Sequence, residues 1–64
     1  MTREQLFRLL RREAREAKVE FRIEKSEGKG SHYRVYFGAH RTIVQSGELT
    51  PIMVMRIRRQ LGLR

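Results

Sequence analysis

The 64-residue sequence contains no cysteine, tryptophan, asparagine or aspartate, and only one proline. Without cysteine there is neither a disulfide framework nor a thiolate metal knuckle, two usual supports of a domain this short. Without aspartate, with glutamate supplying all seven acidic residues, a carboxylate cluster around two catalytic metal ions is disfavoured, and no metal or other cofactor is expected. No apolar run approaches the 18 residues of a membrane span and no signal-peptide pattern opens the chain, so the reading is a cytoplasmic protein with no membrane partner. The length allows one domain, residues 1–64, with a small core and modest stability, for which a partner chain is a natural expectation.

What is abundant is positive charge. Lysine and arginine total 15 against seven glutamates, a net charge of +8, and 12 of those cations are arginine. The planar guanidinium suits bidentate phosphate contacts, which puts RNA or another nucleic acid ahead of an acidic protein as partner.

Thr2 and Gln5 have the spacing of a capping box. After them Leu6, Leu9, Leu10, Ala14 and Ala17 recur at helical period, with Arg8, Arg11, Arg12 and Arg15 opposite, which predicts an amphipathic helix over about 2–17. Val19, Phe21 and Ile23 then alternate with Glu20, Arg22 and Glu24, and Tyr33, Val35 and Phe37 alternate with His32, Arg34 and Tyr36. These are two half-buried strands joined by the glycine-rich 26–31 segment. Gly38-Ala39 is a tight turn into a third strand at 40–45, where the facing of Ile43 is open. "SGEL" is a loop. Thr50 caps a second helix with Pro51 in its first turn, Met53, Val54, Ile57 and Leu61 form its core stripe, and Gly62-Leu63 ends it as a Schellman motif. The fold class is therefore α+β: a two-layer α-β-β-β-α domain whose three-stranded antiparallel sheet carries both helices on one face.

Parity puts Glu20, Arg22, Glu24, His32, Arg34 and Tyr36 on the open face. The tightest hairpin sets Glu24 beside His32; a slip of two residues sets it beside Arg34 instead. Either way an imidazole, guanidiniums, a phenol and carboxylates share an exposed patch that metal-free RNA cleavage can use. Histidine suits the proton transfer near neutrality. Arg22, Arg34 and Lys29 suit phosphate charge, the Gly30-Ser31 backbone allows close phosphate approach, and Glu24 is a candidate to orient the ring. The acid that protonates the leaving oxygen is open among Tyr36, Tyr33, His40 and water. The bland alternative is a solvated basic face carrying a surface histidine, in a non-catalytic RNA-binding module. Ile52 and Met55 lie off the stripe of the second helix, either as a partner surface or as the edge of the core.

"GKGSHYRVYF" (28–37), together with "SGELTPIMVMRIRRQLGL" (46–63), resembles the HicA family of toxin mRNA interferases across nearly the whole length. The resemblance rests on the Gly-Ser-His turn into the second strand, the Gly-Glu-Leu loop and the final helix ending in Leu-Gly-Leu. It implies a double-stranded-RNA-binding-domain-like fold and metal-independent mRNA cleavage. It also implies an essential histidine at His32, after Gly30 and Ser31, and a HicB-type antitoxin protein that covers the active face in a hetero-oligomer. The chain departs from the family pattern at Tyr33, where many relatives carry a second polar or histidine residue.

Overall fold

The computed structural model describes residues 1–25, 32–45 and 47–63. Helix α1 spans Arg3–Ala17. It opens on the reciprocal pair that the Thr-x-x-Gln spacing predicts: Thr2 Oγ1 accepts from the Gln5 N–H at 3.2 Å, and Gln5 Oε1 accepts from the Thr2 N–H at 2.8 Å. Leu6, Phe7, Leu10 and Ala14 are buried. Phe7 takes a place expected of Leu9, which lies roughly 100° round the helix from the centre of this face and is half-buried. Ala17, expected in the stripe, is exposed in the last turn.

α1 stops on Lys18, whose φ of 58° and ψ of 41° are left-handed. The Val19 N–H bonds the Ala14 carbonyl at 3.0 Å and the Lys18 N–H bonds the Arg15 carbonyl at 3.2 Å, the two bonds of a Schellman motif. A side chain with a Cβ is strained in that conformation, and glycine is not. Lys18→Gly is therefore expected to stabilise the fold by about 0.5–1 kcal/mol, after the extra unfolded-state freedom of glycine is subtracted. A rise in the urea midpoint at constant slope checks this; a fall would show that the lysine contributes more than its backbone costs.

The cap also moves the first strand. Because the Val19 N–H is used in closing α1, β1 begins at Phe21 and runs to Lys25, two residues later than the alternation suggested. Val19, expected in the core, is 37% exposed. Strand β2 covers Tyr33–Phe37 and β3 covers His40–Val44, in the antiparallel order β1-β2-β3. The Gly38-Ala39 turn pairs Phe37 with His40, and Gly38 has the positive φ (59°) that a type II′ turn requires at its first central position.

Helix α2 spans Pro51–Gln60, with Thr50 Oγ1 accepting from the Met53 N–H at 3.2 Å. It ends as its sequence predicts: the Leu63 N–H bonds the Arg58 carbonyl at 2.7 Å and the Gly62 N–H bonds the Arg59 carbonyl at 3.0 Å. Glycine suits position 62 on two counts, the backbone conformation being the stronger. Its φ is +80°, and a Cβ there would lie 2.8 Å from the His40 ring.

α1 packs over β1 and α2 over β3. Both helices meet the same side of the sheet, so the core joins Leu6, Leu10, Ile57 and Leu61 to Val35, Phe37 and Val44. The two helices are tied by Arg58 Nη1 to Glu13 Oε2 at 2.7 Å. The fold is thus the two-layer α-β-β-β-α arrangement, with one addition. Leu49, read as a loop residue, is 1% exposed and fully in the core. The chain start holds it there: the Leu49 N–H bonds the Met1 carbonyl at 2.8 Å, and the Met1 ammonium pairs with Glu48 and donates to the Leu49 carbonyl at 3.2 Å. Among the described residues, no helix is long and apolar enough to cross a membrane.

Candidate functional site

The helices cover the side of the sheet carrying Ile23, Val35, Phe37 and Val44, and alternation turns the remaining side chains to the other side. The register arranges those in rows. Arg22, Tyr36 and Arg41 lie across the three strands in one row, and Glu24, Arg34 and Ile43 in the next.

Cross-strand partners at this separation interact directly. The Arg22 guanidinium stands 4.4 Å over the Tyr36 ring, and its Nε lies 3.7 Å from Glu24 Oε2. Arg34 has its pKa raised, first by a hydrogen bond to Tyr36 and the electrostatics of that phenol, and more weakly by Glu24. The guanidinium is cationic at any working pH and exposed, so it is open to an anion arriving from solvent. Three arginines against one glutamate leave these two rows net positive.

His32 is exposed and stands one residue before β2, with no hydrogen-bond or ion-pair partner among the described residues. Its expected neighbour is a correction. Glu24 pairs with Arg34, not with His32, because the β1–β2 ladder adopts the register two residues along from the tightest hairpin. Glu24 is therefore engaged with two arginines rather than set to orient the ring. Arg22 and Arg34 occupy the open face as expected. Lys29, Gly30 and Ser31 lie outside the described residues.

The register also names a side chain that was overlooked. Carried one residue beyond its last pair, Tyr33 with Val44, the β2–β3 ladder brings His32 opposite Gln45. Both residues lie just outside the paired strands and Gln45 is exposed, so this is a position in register and not a contact. Arg41 was also missed, and Ile43, whose facing the sequence leaves open, pairs with Arg34 on the open face. The two-residue Gly38-Ala39 turn contains the missing information: it forces Phe37 opposite His40, and therefore Arg41 and Ile43 onto the face of Arg34 and Tyr36.

The candidates for the acid separate in the same way. Tyr33 faces the helices, 6.0 Å from Phe7 between ring centroids and 4.0 Å beneath the Arg3 guanidinium. His40 lies against Gly62 at the end of α2. Both are on the wrong side of the sheet for a group acting with His32. Tyr36 shares the face but stands about 13 Å along the strand, at roughly 3.3 Å per residue. Arg34, at about 7 Å on the same reckoning, is the nearest cation to the imidazole on β2. An imidazole and a guanidinium thus stand two residues apart at the head of β2. Among the described residues, no three histidine or acidic side chains lie together as a metal-binding group.

No family model, curated protein or solved structure matches the chain.

Proposed function

We propose that the chain is an endoribonuclease toxin that cleaves mRNA in the cytoplasm without a metal ion and is neutralised by a protein antitoxin of the HicB type. The observation that carries this reading is the exposure of His32 at the head of β2, beside Arg34 and the arginine-bearing face. The resemblance of the Gly-Ser-His turn and the C-terminal segment to the HicA family supports it independently of charge.

In the proposed reaction His32 takes the proton of a ribose 2′-OH, and the 2′-oxygen attacks the adjacent phosphorus. Arg34, with Arg22 and Arg41 further along the face, stabilises the charge that gathers on the non-bridging oxygens. The bond from phosphorus to the 5′-oxygen breaks, and that oxygen leaves as a hydroxyl after taking up a proton. Water is the simplest donor, because Tyr33 and His40 face away from the imidazole. The amide of Gln45, across the strand from His32, takes the ring-orienting role first assigned to Glu24.

A protein partner is supported by a separate surface. Ile52 and Met55 are 68% and 58% exposed on α2, so they do not complete the core. A hollow of about 380 Å³ lined by Met1, Leu49, Pro51 and Val54 opens beside Met55. Apolar area left open on a small domain is the kind of surface another chain covers.

The products test the chemistry. Cleavage is expected to leave a 2′,3′-cyclic phosphate and a 5′-hydroxyl, to proceed unchanged in EDTA, and to spare an all-deoxy strand. End-group analysis of a labelled transcript by mass spectrometry reads the first; 5′-phosphate ends or a strict requirement for Mg²⁺ would overturn the mechanism.

A further inference from the structure

β3 is an edge strand, and the space along it is not empty of chemistry. A groove of about 710 Å³, in the size range of small-ligand sites, runs over this edge between the open face of the sheet and α2. We propose that this groove seats one nucleotide of single-stranded RNA, the one flanking the cleaved bond. Its base would lie on Ile43 and Met53, with phosphate between Arg41 and Arg56. The proposal rests on the ribonuclease reading and extends it to how the substrate is held.

Three observations lead there. The groove is continuous with the candidate site, since Arg34, Arg41 and Ile43 belong to both and Gln45, opposite His32 in register, lines its wall. Its charge is of one sign. Arg34, Arg41 and Arg56 line it, no acidic side chain does, and neither Arg41 nor Arg56 has a carboxylate partner among the described residues. Finally, the groove offers apolar surface among the cations: Ile43 is 50% exposed on the open face, and Met53 lines the wall from α2.

Guanidiniums flanking an aliphatic platform suit a phosphate on either side of a base face, and the Gln45 amide carries both a donor and an acceptor for a base edge. Bases in a duplex are stacked and their edges turned inward, so only an unpaired strand can present a base in this way.

The test uses a fluorescein-labelled 2′-O-methyl RNA octamer, which lacks the attacking hydroxyl and so is not cleaved, followed by anisotropy over a salt series. Arg56→Glu, on the exposed surface of α2, is expected to weaken binding about tenfold or more and to reduce the salt slope by about one. Arg12→Glu makes the same charge change on the outer side of α1 and is expected to shift affinity less than threefold. The octamer should also outcompete its own duplex.

Equal losses in the two variants would mean that only net charge matters and would overturn the groove while leaving the ribonuclease reading intact. Unchanged affinity in Arg56→Glu would overturn it too, and would leave the β3 edge to a peptide strand from a protein partner. Failure of the unaltered chain to bind the octamer at low salt would sink the ribonuclease reading as well. Circular dichroism verifies the fold of each variant, and Arg56→Gln, with a smaller loss in the same direction, serves if the glutamate variant is unfolded.

Discussion

His32→Ala is expected to lower RNA cleavage by about a hundred- to ten-thousandfold, the range that a single proton-transferring group contributes. The fold and RNA affinity should be nearly untouched. The ring is exposed and has no partner among the described residues, so its removal opens no cavity and strands no polar group. Surface changes of that kind usually alter stability by less than about 0.5 kcal/mol. Binding rests on guanidiniums that the substitution leaves in place. The informative measurement is therefore threefold on one preparation: product formation on a gel, anisotropy with uncleavable RNA, and the thermal midpoint. Full cleavage by the variant would show that His32 is idle. RNA binding without cleavage in the unaltered chain would favour a basic module that holds RNA and does no chemistry on it.

Leu49→Ala is expected to destabilise the domain by about 2–5 kcal/mol, the range for a leucine removed from a closed core. A single-core domain of 64 residues has about 3–5 kcal/mol in total, so a large fraction of the variant should be unfolded at 37 °C. The loss comes from two sources. The side chain is 1% exposed in the core cluster. Its backbone also accepts and donates the bonds that tie the chain start to the 47–49 segment, and disturbing one loosens the other. Ile52→Ala, three residues on but 68% exposed, should change stability by no more than about 0.5 kcal/mol. Urea unfolding of the pair measures the contrast. Similar midpoints for both variants would mean that Leu49 merely covers the core and is not part of it.

Leu49 also illustrates where sequence reading stops. Elements with a repeating pattern were legible, because periodicity reports which face is buried: α2 from Pro51, the Gly62 stop and the parity of β2 all stand as written. A lone leucine in "SGEL" has no period to reveal its burial, and its partner Met1 is 48 positions away. Val19 failed for a different reason. Alternation assigned it to a strand, but a local cap used its N–H first, and Lys18 in a glycine-like conformation left nothing in the sequence to announce that cap.

For the candidate site, the face was legible and the neighbours were not. Parity alone placed Arg22, Glu24, Arg34 and Tyr36 together. Whether Glu24 met His32 or Arg34 depended on hairpin register, which parity leaves free in steps of two. The glycine-rich connection gave no reason to prefer the longer loop. β3 sets Ile43 and Val44 side by side, which blurs its alternation, so Arg41, Ile43 and Gln45 entered only through the register of the turn before it.

The separation of the two tyrosines across the sheet has a practical result. The chain has no tryptophan, so its near-ultraviolet emission comes from two half-buried tyrosines, Tyr33 beside Phe7 on the helix side and Tyr36 beneath Arg22 on the open face. Replacing either phenol by phenylalanine isolates the other as an intrinsic optical probe. One such chain monitors whether the domain is folded, and the other whether anything has settled on its arginine-rich side, with no dye attached.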